Sequence, residues 1–236
     1  MVRSSLLIET RRRPLAVAWD SLQTIAGTVL KLFYAPTSPY VRKVMAVAHE
    51  TDLVDEIELL FSGTTPLAGD KELRSFNPLG KIPALVTDEA GCLFDSRVIC
   101  EYLAAKGGNK KLFPPDGPSR WEVLAQQALG DGLLDAALLA RYEIMMRPEN
   151  QRSGEWRAAQ LQKVTTALDR IEALLPTVGD TVTIGTITFG CALGYLDFRF
   201  PELEWHKNRP VAERWFGEFD ERPAMAATRP REHVPA

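Results

Sequence analysis

The chain has 236 residues, enough for one large or two modest domains. Hydrophobic residues make up 45% and charged residues 25%, an ordinary balance for a globular protein. Lys and Arg number 28 against 31 Asp and Glu, so the net charge of −3 gives no electrostatic ground for binding nucleic acid or an anionic membrane.

Residues 1–29 carry Arg3, Arg11, Arg12 and Arg13 in a manner suggesting a transit peptide, but Glu9 and Asp20 interrupt that pattern. Leu6–Ile8 is too short for the apolar core of a signal sequence, and the segment is read as a poorly ordered extension. The first regular element is a strand over Leu30–Tyr34. A turn follows, and Pro39 then opens a helix with Val41, Val44, Met45 and Ala48 along one face. Ser38 falls at the N-cap, where unpaired N–H groups and the helix dipole favour negative charge. Further on come a strand at Ile57–Phe61, a short helix over Leu67–Ser75, and a turn cluster at Phe76–Gly80. Lys81-Ile82-Pro83 leads into a strand at Ala84–Thr87, and a hairpin turn joins that to a strand at Cys92–Phe94. Asp95 and Ser96 cap a helix carrying Ile99, Tyr102 and Leu103, which Gly107-Gly108 ends. This βαβ-α-ββα order fits a thioredoxin-like α/β domain.

The Pro-rich run Leu112–Pro118 is the clearest boundary, and beyond it the pattern is helical throughout. One long helix is expected over Ser119–Met146, interrupted at Gly130-Asp131-Gly132. Others are expected over Gly154–Leu175, Thr183–Phe198 and Val211–Phe219. The predicted organisation is an extension (1–29), the α/β domain (30–108), a linker (109–118), an all-α helical bundle (119–231) and a short tail (232–236). No segment approaches the roughly 20 apolar residues of a bilayer-spanning helix. Cys92, Cys100 and Cys191 form no CxxC pair, imply neither disulfide framework nor zinc site, and suit a reducing, cytoplasmic compartment. The three histidines, His49, His206 and His233, show no metal spacing, and His49 reads as structural.

Glutaredoxin-type proteins place a reactive Cys-Pro-Tyr-Cys at a turn of the kind found at Ser38-Pro39-Tyr40-Val41. Here the thiol is replaced by a hydroxyl, which suits a site that holds another molecule's thiolate. From Leu30 to about Arg231 the chain resembles the cytosolic glutathione transferases, in their serine-type, bacterial form. The likeness rests on Tyr34–Val44 (YAPTSPYVRKV), Phe76–Leu85 (FNPLGKIPAL), Phe94–Leu103 (FDSRVICEYL) and Thr183–Phe200 (TIGTITFGCALGYLDFRF).

The resemblance implies an enzyme that activates the thiol of glutathione and conjugates it to a small hydrophobic electrophile. No cofactor is implied beyond glutathione as co-substrate. It assigns Ser38 as the catalytic thiolate donor, with Thr37 as the competing hydroxyl. It implies a cis Ile82–Pro83 bond, with the Ile82 main chain pairing with the cysteinyl unit. Lys81 would face a glutathione carboxylate, Ser96 the γ-glutamyl carboxylate and Asp95 its ammonium. Leu133, Leu134, Ala137, Arg141 and Tyr142 are candidates for the electrophile pocket. The resemblance further implies a homodimer with no nucleic-acid or membrane partner. Thr186 stands where relatives have Asp, so the reciprocal cap of the buried helix is expected to be weakened. Two alternatives stay open: a glutathione-dependent dehalogenase, etherase, isomerase or peroxidase, and a non-enzymatic binding or regulatory protein on the same fold.

Overall fold

A computed structural model describes residues 30–233. The expectations for residues 1–29 and for the last three residues of the tail lie outside that range. Strand β1 (Leu30–Tyr34) runs parallel to β2 (Ile57–Phe61) and antiparallel to β3 (Ala84–Thr87), which pairs antiparallel with β4 (Gly91–Leu93). The sheet order is therefore β2-β1-β3-β4. Helices α1 (Pro39–Glu50), α2 (Lys71–Phe76) and α3 (Ser96–Lys106) complete this first domain. The crossover from β1 through α1 to β2 makes the one parallel pair among the described residues, because parallel neighbours require a long return. The βαβ-α-ββα order read from the sequence is the order found, with α2 starting four residues later than expected and β4 one residue earlier.

A helical domain follows: α4 (Gly117–Met145), α5 (Gly154–Val178), α6 (Ile184–Arg199), α7 (Pro210–Phe219) and α8 (Pro223–Ala227). Helix α6 is its spine. Every residue from Ile184 to Leu196 is buried, which accounts for the absence of a polar face in its sequence. The short α8 has no counterpart in the sequence reading. Its five residues, PAMAA, are too few to show a helical period. None of the described helices is long and apolar enough to cross a membrane.

Two expectations are corrected here. Helix α4 runs through Gly130-Asp131-Gly132 without a break. Gly130 is small because α6 crosses against it: a Cβ there would lie 2.8 Å from Thr188 Cγ2. Thr188 cannot yield easily, since its hydroxyl donates to the Ile184 carbonyl at 2.6 Å. Gly130→Ala is therefore expected to lower the melting temperature, although alanine is the better helix former. Overpacking costs about 1–3 kcal/mol, against a propensity gain of about 1 kcal/mol. A thermal melt showing higher stability would refute the close-crossing account.

The cap of α6 is also intact. The Thr183 N–H donates to Thr186 Oγ1 at 2.8 Å, and the Thr186 N–H donates to Thr183 Oγ1 at 3.3 Å, a complete reciprocal box. The short threonine side chain reaches the Thr183 N–H, and its own proton goes to the Thr181 carbonyl at 2.9 Å. A longer acidic side chain is not needed.

The two domains meet through buried cations on α1. Lys43, with a fully buried side chain, donates from Nζ to Asp131 Oδ1 on α4 at 2.6 Å. The other carboxylate oxygen, Oδ2, accepts from Arg97 Nε on α3 at 2.8 Å. Arg42 pairs with Asp220 and donates to the Met225 carbonyl at 3.1 Å. Gly194 on α6 leaves room for that guanidinium, since a Cβ would meet Arg42 Nη1 at 2.2 Å.

Candidate functional site

A cleft of about 980 Å³ opens between the edge of the sheet and helices α4 and α6. All six residues assigned to glutathione in the sequence analysis line it: Ser38, Lys81, Ile82, Pro83, Asp95 and Ser96. Three chain segments far apart in sequence thus converge on one space.

The first segment is the β1–α1 turn. Ser38 has extended backbone angles and caps α1, its Oγ accepting from the Val41 N–H at 3.3 Å. That long bond occupies an acceptor position only. The hydroxyl proton has no acceptor among the described residues and remains available to an anion in the cleft. Thr37 lines the same cleft one residue earlier but lies before the cap. Tyr40 is a third hydroxyl there, one the sequence reading passed over. Its proton is committed to Asp135 Oδ1, and burial together with that carboxylate holds the phenol far above its ordinary pKa. A hydroxyl already donating to a carboxylate is poorly placed to stabilise a second anion.

The second segment is the loop before β3. The Ile82–Pro83 bond is cis. Ladder pairing to β1 begins only at Ala84, so the Ile82 N–H and carbonyl keep no backbone partner among the described residues. Asn77, buried to 1% exposure, braces this loop from below. Its side-chain amide donates to the Lys81 carbonyl at 2.8 Å, and its Oδ1 accepts from the Leu79 N–H at 3.1 Å. The Phe76–Gly80 turn cluster is thus a support for the loop. Lys81 itself is exposed at the rim.

The third segment is the start of α3. Asp95 caps the helix, its Oδ1 accepting from the Arg97 N–H at 2.9 Å. Ser96 is buried at the first helical position, and its hydroxyl makes no hydrogen bond among the described residues. Arg97 also borders the cleft and is tied back to Asp131, so the buried ion network reaches the site.

Of the five pocket candidates on α4, Arg141 and Tyr142 line the cleft. Leu133, Leu134 and Ala137 do not; all three are fully packed in the core. The helix turns its other stripe to the cleft, with Asp131, Asp135, Leu138 and Tyr142 at steps of four, three and four. Tyr195 and Arg199 of α6 complete that wall. His233 was also missed: its ring stacks on Phe61 with centroids 3.7 Å apart and closes the cleft near β2.

The cysteines are poor nucleophiles. Burial pushes the Cys92 and Cys191 thiols up to about 11 and Cys100 to about 12. Among the described residues no group of three or more His, Cys, Asp or Glu is arranged to hold a metal ion.

A four-stranded mixed sheet carrying a hydroxyl-capped helix and a cis-proline loop, backed by an all-helical domain, defines a recognisable class of protein. Residues 37–106 match the family model described as the glutathione S-transferase N-terminal domain, and residues 154–218 match the corresponding C-terminal domain. The Escherichia coli K12 protein named "Uncharacterized GST-like protein YibF" is 35% identical over 204 residues, spanning 85% of this chain and 98% of that protein. A glutathione transferase family member from Pseudomonas fluorescens Pf-5, solved with bound glutathione, superposes with a TM-score of 0.83 at 44% identity, covering 86% of this chain and 99% of that one. A second structure from that organism, with bound S-(propanoic acid)-glutathione, gives 0.79 at 42% identity over 86% and 100% of the two chains. The chain belongs to the glutathione S-transferase family.

Proposed function

We propose that this protein is a glutathione transferase that conjugates glutathione to a small electrophile, with Ser38 as donor to the thiolate. One observation carries the reading: the Ser38 hydroxyl, with its proton uncommitted, shares a cleft with an unpaired stretch of backbone at Ile82 and with the Asp95-Ser96 helix start. Structural relatives that bind glutathione lend support, since they cover nearly the whole described chain. In the proposed complex the Ile82 main chain hydrogen-bonds the cysteinyl unit as an added strand. Lys81 faces the glycyl carboxylate. Ser96 and the α3 N-terminus receive the γ-glutamyl carboxylate, and Asp95 its ammonium. The thiolate sulfur then attacks the electrophilic carbon. A C–S bond forms, and the electron pair of the broken bond departs with the leaving group or moves to the neighbouring carbon, which water protonates. Positioning and thiolate population supply the rate, with no histidine needed for proton transfer.

The reading includes the domain limits given above, a homodimeric cytoplasmic protein and a role in detoxification, all carried by family resemblance. Dehalogenation, ether cleavage, isomerisation and peroxide reduction are the rival reactions with the same co-substrate. Disulfide exchange through the protein is disfavoured because the position at the helix cap holds serine and the three thiols are kept protonated.

The expected result is saturable glutathione binding by calorimetry, with turnover in a panel of halogenated aromatics, epoxides, enals and peroxides. Failure to bind glutathione would reassign the chain to a non-enzymatic role. Binding with turnover confined to peroxides would establish the peroxidase alternative.

A further inference from the structure

The helical wall of the cleft carries a charge arrangement that glutathione recognition leaves unused. Arg199, at the end of α6, is only 12% exposed in its side chain, and its guanidinium lies over the Phe198 ring at 3.8 Å from the centroid. Its two terminal nitrogens hold the carboxylate of Glu232: Nη2 donates to Oε2 at 3.2 Å, and Nη1 to Oε1. This is the fork geometry in which a guanidinium grips a planar carboxylate. The two partners are built differently. The arginine is packed into the wall, whereas the glutamate arrives from the C-terminal tail with its side chain 66% exposed.

Arg141 of α4 stands on the same wall, half-buried. It has no ion pair or side-chain hydrogen bond among the described residues, and it lies close enough to act electrostatically on Tyr142, Tyr195 and Glu232. The carboxylates elsewhere in the lining form no ion pair with either of these arginines. Asp131 is taken by Lys43 and Arg97, Asp135 by Tyr40, and Asp95 by its helix cap. Leu138 and Leu139 supply the apolar floor between.

We propose that the acceptor half of the cleft selects an electrophile bearing a carboxylate, which Arg141 and Arg199 receive, and that Glu232 is the resident carboxylate this group displaces. The inference rests on the transferase reading and adds the substrate class to it. A half-buried guanidinium with no ion pair or hydrogen bond of its own among the described residues is costly to maintain. A second one already gripping a tail carboxylate shows what chemistry the subsite takes. A small hydrophobic electrophile with no anionic group, the acceptor class expected from the family resemblance, would leave both cations unused.

The test uses product-like ligands, so it does not depend on finding the natural substrate. The full chain is titrated calorimetrically with S-(2-carboxyethyl)glutathione, with its neutral amide S-(2-carbamoylethyl)glutathione, and with glutathione as the reference. The acid should bind roughly tenfold tighter than the amide, the gain of one charge-assisted bond. In Arg141→Gln and in Arg199→Gln that preference should shrink toward unity. In Glu232→Gln, where the competing carboxylate is gone, the acid should bind several-fold tighter than to the parent while the amide is unchanged. Equal affinities for acid and amide in the parent protein would overturn the proposal and leave the transferase reading standing. So would a preference that survives intact in both arginine variants. Loss of all three ligands, glutathione included, would bring down both.

Discussion

Ser38→Ala is expected to lower conjugation at neutral pH by roughly ten- to a hundredfold while the protein stays folded. The Ser38 proton is uncommitted, and the N-terminus of α1 is beside it. A charge-assisted hydrogen bond to the sulfur is worth about 1.5–3 kcal/mol, which corresponds to roughly one to two pKa units on the glutathione thiol. Removing it raises that pKa toward the ordinary thiol value of about 8.5. The sign follows directly. Activity rises with pH as the bound thiol ionises, so the alanine variant should show its pH–rate rise displaced upward by that amount. Variant and parent should converge at high pH, where both thiols are ionised. The cost to the fold is the loss of one cap bond, about 1 kcal/mol. Two measurements decide the matter: thiolate absorbance of the bound glutathione against pH, and a thermal melt. An unshifted thiolate titration in Ser38→Ala would move the role to Thr37, the other uncommitted hydroxyl on that turn.

Much of this cleft was legible because each of its three lining segments is a local device. A cap residue, a proline after a β-branched residue, and an Asp-Ser pair at a helix start each leave a short mark in the sequence, and the structure brings all three to one cleft. The strands and helices were legible for the same reason, since their periods of two and 3.6 are set by neighbours a few residues away. What escaped was non-local. Arg42 and Lys43 are charged yet buried, because their partners lie 178 and 88 residues further along. Gly130 looked like a helix break because the crossing of α6 that requires it has no trace in the sequence of α4. The wrong pocket residues on α4 reflect an error of phase. Leucines at 133 and 134 are as apolar as those at 138 and 139, and only tertiary packing decides which pair faces the core. The tail was missed most completely. Arg231, whose N–H reaches the Pro36 carbonyl at 3.4 Å, Glu232 and His233 have no pattern of their own.

Asp131→Ala is expected to be the most destabilising single change in the chain. Its carboxylate is the sole ion-pair partner of Lys43 among the described residues, and both side chains are essentially without solvent contact. Deleting the acid leaves an ammonium buried between α1, α3 and α4, and breaking one side of such a pair costs about 3–5 kcal/mol. For a domain of this size, each kcal/mol is worth roughly 2–4 °C in melting temperature, so a fall of about 10 °C or more should appear in calorimetry. Asp131→Asn should fare little better, because an amide keeps the shape but supplies no charge. The double variant Lys43→Met with Asp131→Leu should recover most of the loss, since an apolar pair of similar volume replaces an ion pair that barely repays its desolvation. Stability and function should then separate. Arg97, half exposed, loses its anchor on Asp131 in the double variant too. The start of α3, with Asp95 and Ser96, loses that tie to the helical domain. On the proposed assignment, glutathione affinity should therefore stay several-fold weak in a protein whose melting temperature has been restored. A double variant that recovers both together would show that the Arg97–Asp131 bond contributes nothing to the binding site, and that Asp131 acts on the fold alone.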